Sequence, residues 1–165
     1  MNKNLLILGG GEFGHVVCDI AKSTGDFDKI RFLDDEKEND CVIGKLADFE
    51  GYRDDYSYAI PSFGSCTLRE KWLNRLKEHY KIPTLIHKCS FVAPTAVCFE
   101  GVVVCANATV SVNSTVQEGC IIDSGAVISH DACIGRFSLV HAGAVVISST
   151  RVKEYSVIDY GAVVR

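Results

Sequence analysis

Residues near the start of the chain have the types and spacing of a phosphate-binding turn: Gly9, Gly10, Gly11, Glu12, Phe13 and Gly14. A short apolar run precedes this glycine turn, and apolar residues at helical spacing follow it. A strand, a glycine turn and a helix in this order direct backbone N–H groups and a helix N-terminus towards a phosphate. Asp34 and Asp35 follow a second apolar run about twenty residues on, where a carboxylate would bind a ribose or base hydroxyl. The combination favours nucleotide binding over a turn that merely joins two elements of an α/β domain.

The C-terminal half contains a second group of residues that could do chemistry. His130 and Asp131 are adjacent, and Asp123, His141 and Asp159 follow one another at intervals of eighteen residues. If residues eighteen apart lie one above another, the two carboxylates flank the imidazole of His141 and could hold a polar acceptor molecule. The same ladder is compatible with a solvated edge, and the spacing alone leaves both interpretations open.

A six-residue repeat positions these side chains. An aliphatic residue or Cys occupies every sixth position, fourteen times in one register, at Ile86, Val92, Cys98, Val104, Val110, Val116, Ile122, Ile128, Ile134, Val140, Val146, Val152, Ile158 and Val164. A small residue, or Val102 in one case, follows four positions later, at Ser90, Ala96, Val102, Ala108, Ser114, Cys120, Ala126, Ala132, Ser138, Ala144, Thr150, Ser156 and Ala162. Six residues of strand and turn, repeated three times, close one coil of a parallel β-helix, in which successive coils lie one strand spacing apart. Residues eighteen apart are therefore predicted to stack.

The N-terminal half is predicted to form a small α/β domain. Apolar runs predict strands at 4–8, 30–33 and 57–60, and an apolar stripe at helical spacing predicts a helix over 67–80. Pro83 ends the helical pattern and leads into the first coil. We therefore predict two domains, an α/β domain at 1–82 and the β-helix at 83–165.

The composition limits the classes of partner and compartment. Of the 165 residues, 47% are hydrophobic and 23% are charged, as in ordinary globular proteins. The net charge of −4 and the mixed charges of the one basic stretch, 69–81, argue against nucleic acid as a partner. No apolar run reaches membrane-spanning length, so we expect a cytoplasmic protein without membrane insertion. The eight cysteines lack paired C-x-x-C spacing, which favours reduced, buried thiols over disulfides or metal ligands, and we expect no metal.

Nearly the whole chain resembles one branch of the hexapeptide-repeat acyltransferases, the bacterial nucleotide-amino-sugar N-acetyltransferases and sialic-acid O-acetyltransferase-like proteins. Four segments carry the resemblance: the glycine turn, the Asp34–Asp35 pair, the connector Pro-Thr-Leu-Ile-His at 83–87, and Ile-Ser-His-Asp-Ala-Cys-Ile-Gly at 128–135. It implies a Rossmann-like nucleotide-sugar-binding domain joined to a left-handed β-helix, assembled as a homotrimer with active sites between subunits. It also implies acetyl-CoA-dependent N-acetylation of a nucleotide-linked amino sugar, such as a UDP-4-amino-dideoxy sugar.

The resemblance also implies roles for particular residues. His130 matches the family's general base, and Asp131 matches the acid that orients it; imidazole near neutral pH suits removal of a proton from an attacking amine or hydroxyl. Ser148 lies eighteen residues after His130, so its backbone N–H is a candidate donor to the thioester oxyanion. Substrate binding is expected at Gly9, Gly10, Gly11, Phe13, Gly14, Asp34, Asp35 and Asp123, and acyl-donor binding at Leu139, His141 and Gly143.

The chain departs from the family's usual residues at several of these positions. A His is usual where this chain has Phe13 or Leu139, a basic residue at His15, a Gly at Pro61 or Ser148, and an Asn at Asp123. The repeat also ends at Arg165, about two coils after His130. These departures keep one alternative open, a non-enzymatic sugar-nucleotide-binding or assembly protein that lacks a complete CoA site. A second alternative is an O-acetyltransferase acting on a sialic-acid-like hydroxyl by the same His130 chemistry, because the sequence does not distinguish amine from hydroxyl acceptors.

Overall fold

The computed structural model describes residues 2–165, which form two compact units. The first unit ends at Pro83, and the second runs over Thr84–Arg165. The predicted boundary lies one residue earlier. Within residues 2–165, no helix combines the length and the apolar character needed to cross a bilayer.

The first unit is a parallel four-stranded sheet with helices, as expected for a Rossmann-like domain. Its strands lie in the order β3-β2-β1-β4. Their bounds are Asn4–Leu8 (β1), Lys29–Leu33 (β2), Val42–Gly44 (β3) and Tyr58–Pro61 (β4). The helices are Glu12–Thr24 (α1) and Cys66–Leu76 (α2), with a 3₁₀ helix at Leu46–Tyr52. Strand β1 pairs on both sides, and its last four residues are fully buried, which explains its continuous apolar sequence.

Two features of this unit differ from the sequence prediction. Strand β3 and the 3₁₀ helix were not predicted, because a three-residue strand and a seven-residue 3₁₀ helix are too short to carry a clear periodic signal. Helix α2 ends at Leu76 and not at Tyr80. Tyr80 is nevertheless buried, and its hydroxyl donates to the carbonyl of Phe49. The apolar stripe therefore continues beyond the helix through a turn that still faces the core.

The second unit is a parallel β-helix with three faces of short strands. The first face contains Leu85–Ile86 (β5), Val103–Val104 (β8), Ile121–Ile122 (β11), Leu139–Val140 (β14) and Val157–Ile158 (β17). The second contains Phe91–Val92 (β6), Thr109–Val110 (β9), Val127–Ile128 (β12), Val145–Val146 (β15) and Val163–Val164 (β18). The third contains Val97–Cys98 (β7), Thr115–Val116 (β10), Cys133–Ile134 (β13) and Arg151–Val152 (β16). Each strand pairs with the strand eighteen residues away, as Ile122 does with Val140.

The interior of the β-helix contains the predicted repeat. All fourteen residues of the six-residue register belong to one apolar cluster. Nine of them are buried, and the other five are partly buried and pack against those nine. From Gly101 onward the corners between faces are tight turns whose third residue has a positive φ, and one such column is Asn113, Asp131 and Ser149 at φ 58°, 60° and 60°. Asn and Asp tolerate this left-handed conformation better than other side chains do. The backbone conformation of this corner therefore favours Asp at position 131, independently of any chemical role of its carboxylate.

Gly135 lies where the backbones of two coils approach closely. A Cβ atom there would lie 2.5 Å from the backbone nitrogen of Glu154 and 2.8 Å from the carbonyl oxygen of Val152. Because both neighbours are backbone atoms, they cannot rotate away. The Ile-Gly pair that ends the 128–135 segment is thus explained by packing.

We expect Gly135→Ala to lower the free energy of unfolding by about 2 kcal/mol, since the new methyl group must push two coils apart. Gly125→Asn is the matched control, because Gly125 has open space around it and a φ of 68°, and Asn107 already adopts φ 59° at the same corner one coil earlier. The control is expected to change stability by less than about 0.5 kcal/mol. Chemical denaturation of both variants measures the difference, and equal stability would contradict the packing argument.

Candidate active site

The first candidate site is the corner that follows β12 and β15, called here the His130 corner. His130 Nδ1 lies 2.7 Å from Asp131 Oδ2, and the side chains are 57% and 48% exposed. Asp131 Oδ1 also accepts a hydrogen bond from Asn113 Nδ2 at 3.3 Å. The hydrogen bonds from His130 and Asn113 hold the pKa of Asp131 below its ordinary value of 3.8. With Nδ1–H donating to this carboxylate, Nε2 carries the lone pair that can take a proton from a reacting group.

Ser148 lies beside His130 in the next coil. The N–H of Ser149 donates to the carbonyl oxygen of His130 at 3.1 Å, so the two coils are about 4.8 Å apart here. The N–H of Ile147 is also bonded, to Val164. Within residues 2–165, the N–H of Ser148 has no acceptor. It is thus a backbone donor at an exposed corner, one coil from the imidazole.

The second candidate site is the corner that follows β11 and β14, called here the His141 corner. His141 Nδ1 lies 3.9 Å from Asp123 Oδ2, with the side chains 21% and 24% exposed. Nδ1 is buried and finds no hydrogen-bond partner among the described residues. On its other side the imidazole stacks on the ring of Tyr160, with ring centroids 4.2 Å apart and planes at 23°. Tyr160 therefore stacks on His141, and among the described residues no ion pair joins His141 to Asp159.

Cys105 continues this column one coil before Asp123. Burial, and to a lesser degree the neighbouring Asp123 carboxylate, raise the pKa of the Cys105 thiol to about 12. Such a thiol stays protonated and unreactive. The sequence analysis did not single out Cys105 or Tyr160, although the eighteen-residue spacing from Asp123 would have identified Cys105.

Leu139 lies in β14, two residues before His141, and Gly143 follows His141 on the same corner. Leu139 is almost fully buried, so it can offer packing but little contact area to a ligand. Gly143 has open space around it and a φ of 70°. One chain therefore places His130, Asp131 and Ser148 on one corner and Asp123, His141 and Gly143 on another. The predicted catalytic and acyl-donor residues of a single chain do not meet.

The third candidate site is a cavity of about 390 Å³ in the first unit. It is lined by Gly9, Gly11, Glu12, Phe13, Gly14, Asp34, Glu36, Lys37, Ser62, Phe63, Gly64, Ser65 and Leu68. It brings together most of the residues predicted to bind nucleotide, whereas Gly10 and Asp35 do not line it. The stretch 62–65 was not predicted. It lies here because β1 and β4 are parallel neighbours, so the segments after both strands emerge at the same edge of the sheet.

Asp34 shapes this cavity through its own hydrogen bonds. Its carboxylate accepts from the N–H groups of Gly10 at 2.6 Å and of Glu36 and Lys37 at 2.8 Å each. Partial burial raises the pKa of Asp34, but the three N–H donors outweigh it and the net pKa is lowered. Asp35 accepts from the N–H of Leu46 at 2.9 Å. Both carboxylates thus fix the loop that follows β2.

No three His, Cys, Asp or Glu side chains in the described part of the chain are grouped as a metal site requires. All eight cysteines are free thiols.

Comparison with known proteins agrees with this architecture. The family described as the PglD N-terminal domain matches residues 4–76. The acetyltransferase domain of PglB from Neisseria gonorrhoeae is 30% identical, with a TM-score of 0.95 over 99% of this chain and 83% of that chain. No curated protein sequence matches the chain significantly.

Two further structures share the fold at lower identity. The same PglB domain in complex with acetyl coenzyme A is 20% identical, with a TM-score of 0.65 over 95% of this chain and 96% of that chain. PerB from Caulobacter crescentus, in complex with CoA and GDP-perosamine, is 22% identical, with a TM-score of 0.82 over 98% of this chain and 88% of that chain. The predicted family and fold class are confirmed: this chain belongs to the hexapeptide-repeat nucleotide-sugar acetyltransferases, which join a Rossmann-like domain to a left-handed β-helix.

Proposed function

We propose that this protein transfers the acetyl group of acetyl-CoA to the amine of a nucleotide-linked amino sugar, of the UDP-4-amino-dideoxy type. The observation that carries the proposal is the 2.7 Å contact between His130 and Asp131 at an exposed corner of the β-helix. Similar proteins support the two substrates, since the PglB domain binds acetyl coenzyme A and PerB binds CoA with GDP-perosamine. The glycine turn and its cavity would hold the nucleotide.

His130 acts as the general base in this proposal. The sugar amine attacks the thioester carbonyl carbon, the C–N bond forms, and the amine proton passes to His130 Nε2. The tetrahedral intermediate then collapses, the C–S bond breaks, and the departing CoA thiolate takes the proton back from the imidazolium. Asp131 keeps Nδ1–H in place and stabilises the imidazolium between the two steps.

The oxyanion of the tetrahedral intermediate needs a donor near His130. The unbonded N–H of Ser148 is such a group, and it belongs to a backbone that its neighbours in the coil hold in place. A preorganised backbone donor stabilises developing charge without reorganising during the reaction. Its contribution does not depend on the Ser148 side chain, so the exchange of the family's usual Gly for Ser preserves it.

A homotrimer would complete the site. The His130 corner and the His141 corner are different corners of one coil, so a single chain leaves each with half of the proposed machinery. In a closed ring of three copies, the His130 corner of one copy can meet the His141 corner of the next. Asp123 and His141 would then contact the acceptor and the acyl donor across that interface.

The direct test is a transfer assay with the full chain, acetyl-CoA and a UDP-4-amino-dideoxy sugar. We expect one CoA thiol to be released for each acetyl group that mass spectrometry finds on the sugar nitrogen. Acetylation of a sialic-acid hydroxyl instead would select the O-acetyltransferase alternative. Saturable binding of the nucleotide sugar with no thiol release and no acetyl-CoA binding would select the binding or assembly protein.

His130→Ala should lower kcat by at least about a hundredfold, because the proton acceptor is lost. The thermal unfolding midpoint should stay within a few degrees of the native value, since the side chain is more than half exposed. Loss of folding would instead make His130 structural.

Asp131→Asn removes the negative charge beside His130 and keeps the shape of the corner, since Asn113 adopts the same backbone conformation one coil earlier. We expect kcat to fall about tenfold with the KM for acetyl-CoA unchanged. The control is Asn107→Asp, the reverse exchange at a positive-φ position of the other corner, which should leave kcat unchanged. An unchanged kcat in Asp131→Asn would contradict the supporting role of the carboxylate.

The assembly makes a separate prediction. Light scattering at micromolar concentration should give about three times the 18.0 kDa chain mass. A monomer that retains full transfer activity would contradict the shared site.

A further inference from the structure

Phe63 lines the 390 Å³ cavity, as do Glu12 and Phe13 at the N-terminal end of α1. It lies in the segment between β4 and α2, and its ring is only partly buried. A Cβ atom on Gly9 would lie 3.1 Å from Phe63 Cε1 and 2.7 Å from Ser62 Oγ. The ring of Phe63 therefore rests against the backbone of the glycine turn and packs against the apolar core of the first unit, and Phe63 also lines the cavity.

The backbone around Phe63 is fixed from two sides. Arg69, which is 1% exposed, donates from Nη1 to the carbonyl oxygens of Phe63 at 2.7 Å and Gly64 at 3.1 Å. The hydroxyl of Ser62 shares its proton between the carbonyl oxygens of Leu8 at 2.9 Å and Gly9 at 2.8 Å. The segment is thus tied to both α2 and β1. An aromatic face held in this way loses little entropy when a ligand binds to it.

The remaining groups in the cavity indicate what kind of ligand fits. Phe13 is partly exposed and Leu68 is 37% exposed, so the apolar surface extends beyond Phe63. Glu36 and Lys37 provide an acceptor and donors at the same cavity. The first N–H groups of α1 are the donors for a phosphate. A flat aromatic ring with polar edges, attached to a phosphate, matches this distribution.

We propose that Phe63 stacks on the nucleobase of the bound nucleotide sugar. This rests on the proposed function, because it assigns a place to the base of the substrate already inferred. Aromatic stacking accepts any base, so Phe63 provides affinity, and Glu36 and Lys37 are left to distinguish one base edge from another. The phosphates then lie at the glycine turn.

Calorimetric titration of the full chain tests this, with UDP and GDP as separate probes and ribose 5-phosphate as a probe that lacks a base. The variants are Phe63→Ala, Phe63→Leu and Phe63→Tyr. Phe27→Ala is the matched control, because Phe27 is a partly buried phenyl ring of the same unit that lines a different cavity. The thermal midpoint of each variant reports whether the unit still folds.

We expect Phe63→Ala to weaken binding of whichever nucleotide the native protein takes by about tenfold to a hundredfold. Phe63→Leu should lose most of that affinity, whereas Phe63→Tyr and Phe27→Ala should keep it. Binding of ribose 5-phosphate and acetyl-CoA should not change.

Two results would overturn the proposal. One is a Phe63→Ala variant that binds the nucleotide as the native protein does. The other is an equal loss for ribose 5-phosphate, which would mean that Phe63 only shapes the loop. Failure of the native protein to bind either nucleotide is a separate result. It would contradict the proposal that the substrate is a nucleotide sugar, and the stacking role of Phe63 would fall with that proposal.

Discussion

The hydrogen bonds between successive coils are the constraint on which the β-helix depends. Each two-residue strand is too short to be stable alone, and it persists because it pairs with the strands eighteen residues before and after it. The large residue of each hexad then fills the interior, and the small one lets the chain turn the corner. The eighteen-residue pairing therefore determines both how the apolar side chains fill the interior and which polar side chains stack in columns at the corners.

The same register places the candidate chemistry at the corners. His130 and Asp131 are consecutive residues at a tight turn, where a positive φ at Asp131 accompanies the contact between its carboxylate and the imidazole. Ser148 is brought beside them because it is eighteen residues away. Asp123 and His141 stack for the same reason, but on another corner. A rigid solenoid cannot bend to unite two corners of one coil, so a site that uses both corners requires a second copy of the chain.

The first unit depends on a different constraint, the parallel order of β1 and β4. Both strands end at one edge of the sheet, so the glycine turn and the segment 62–65 form a single cavity. Asp34 and Arg69 hold the two sides of that cavity through bonds to backbone groups. The unit thus presents a rigid apolar and donor-rich surface, which is what a nucleotide with a base and phosphates requires.

Much of the fold could be predicted from sequence because the repeat is long and its period is unambiguous. All fourteen residues that were predicted to point inward lie in one apolar cluster. Strand β1 spans residues 4–8, the same range as the first predicted strand. Side-chain contacts at corners were harder to predict, since the period fixes which residues stack but not which way they point. The stacking of Tyr160 on His141 and the hydrogen bonds that the Asp34 carboxylate accepts from nearby backbone N–H groups are contacts of this kind, which the spacing did not predict. Phe63 belongs to no recognisable sequence motif. Its position at the cavity follows from the pairing of β1 with β4, which the sequence does not show.

The measurement that tests the account most directly is subunit complementation. His130→Ala and the double variant Asp123→Ala/His141→Ala would be purified with different tags, mixed under conditions that exchange subunits, and assayed for acetyl transfer. The account predicts that each variant alone is inactive and that mixed trimers regain activity, because one interface then combines an intact His130 corner with an intact His141 corner. Mixed trimers that stay inactive, or a double variant as active as the native protein, would contradict a site shared between two chains.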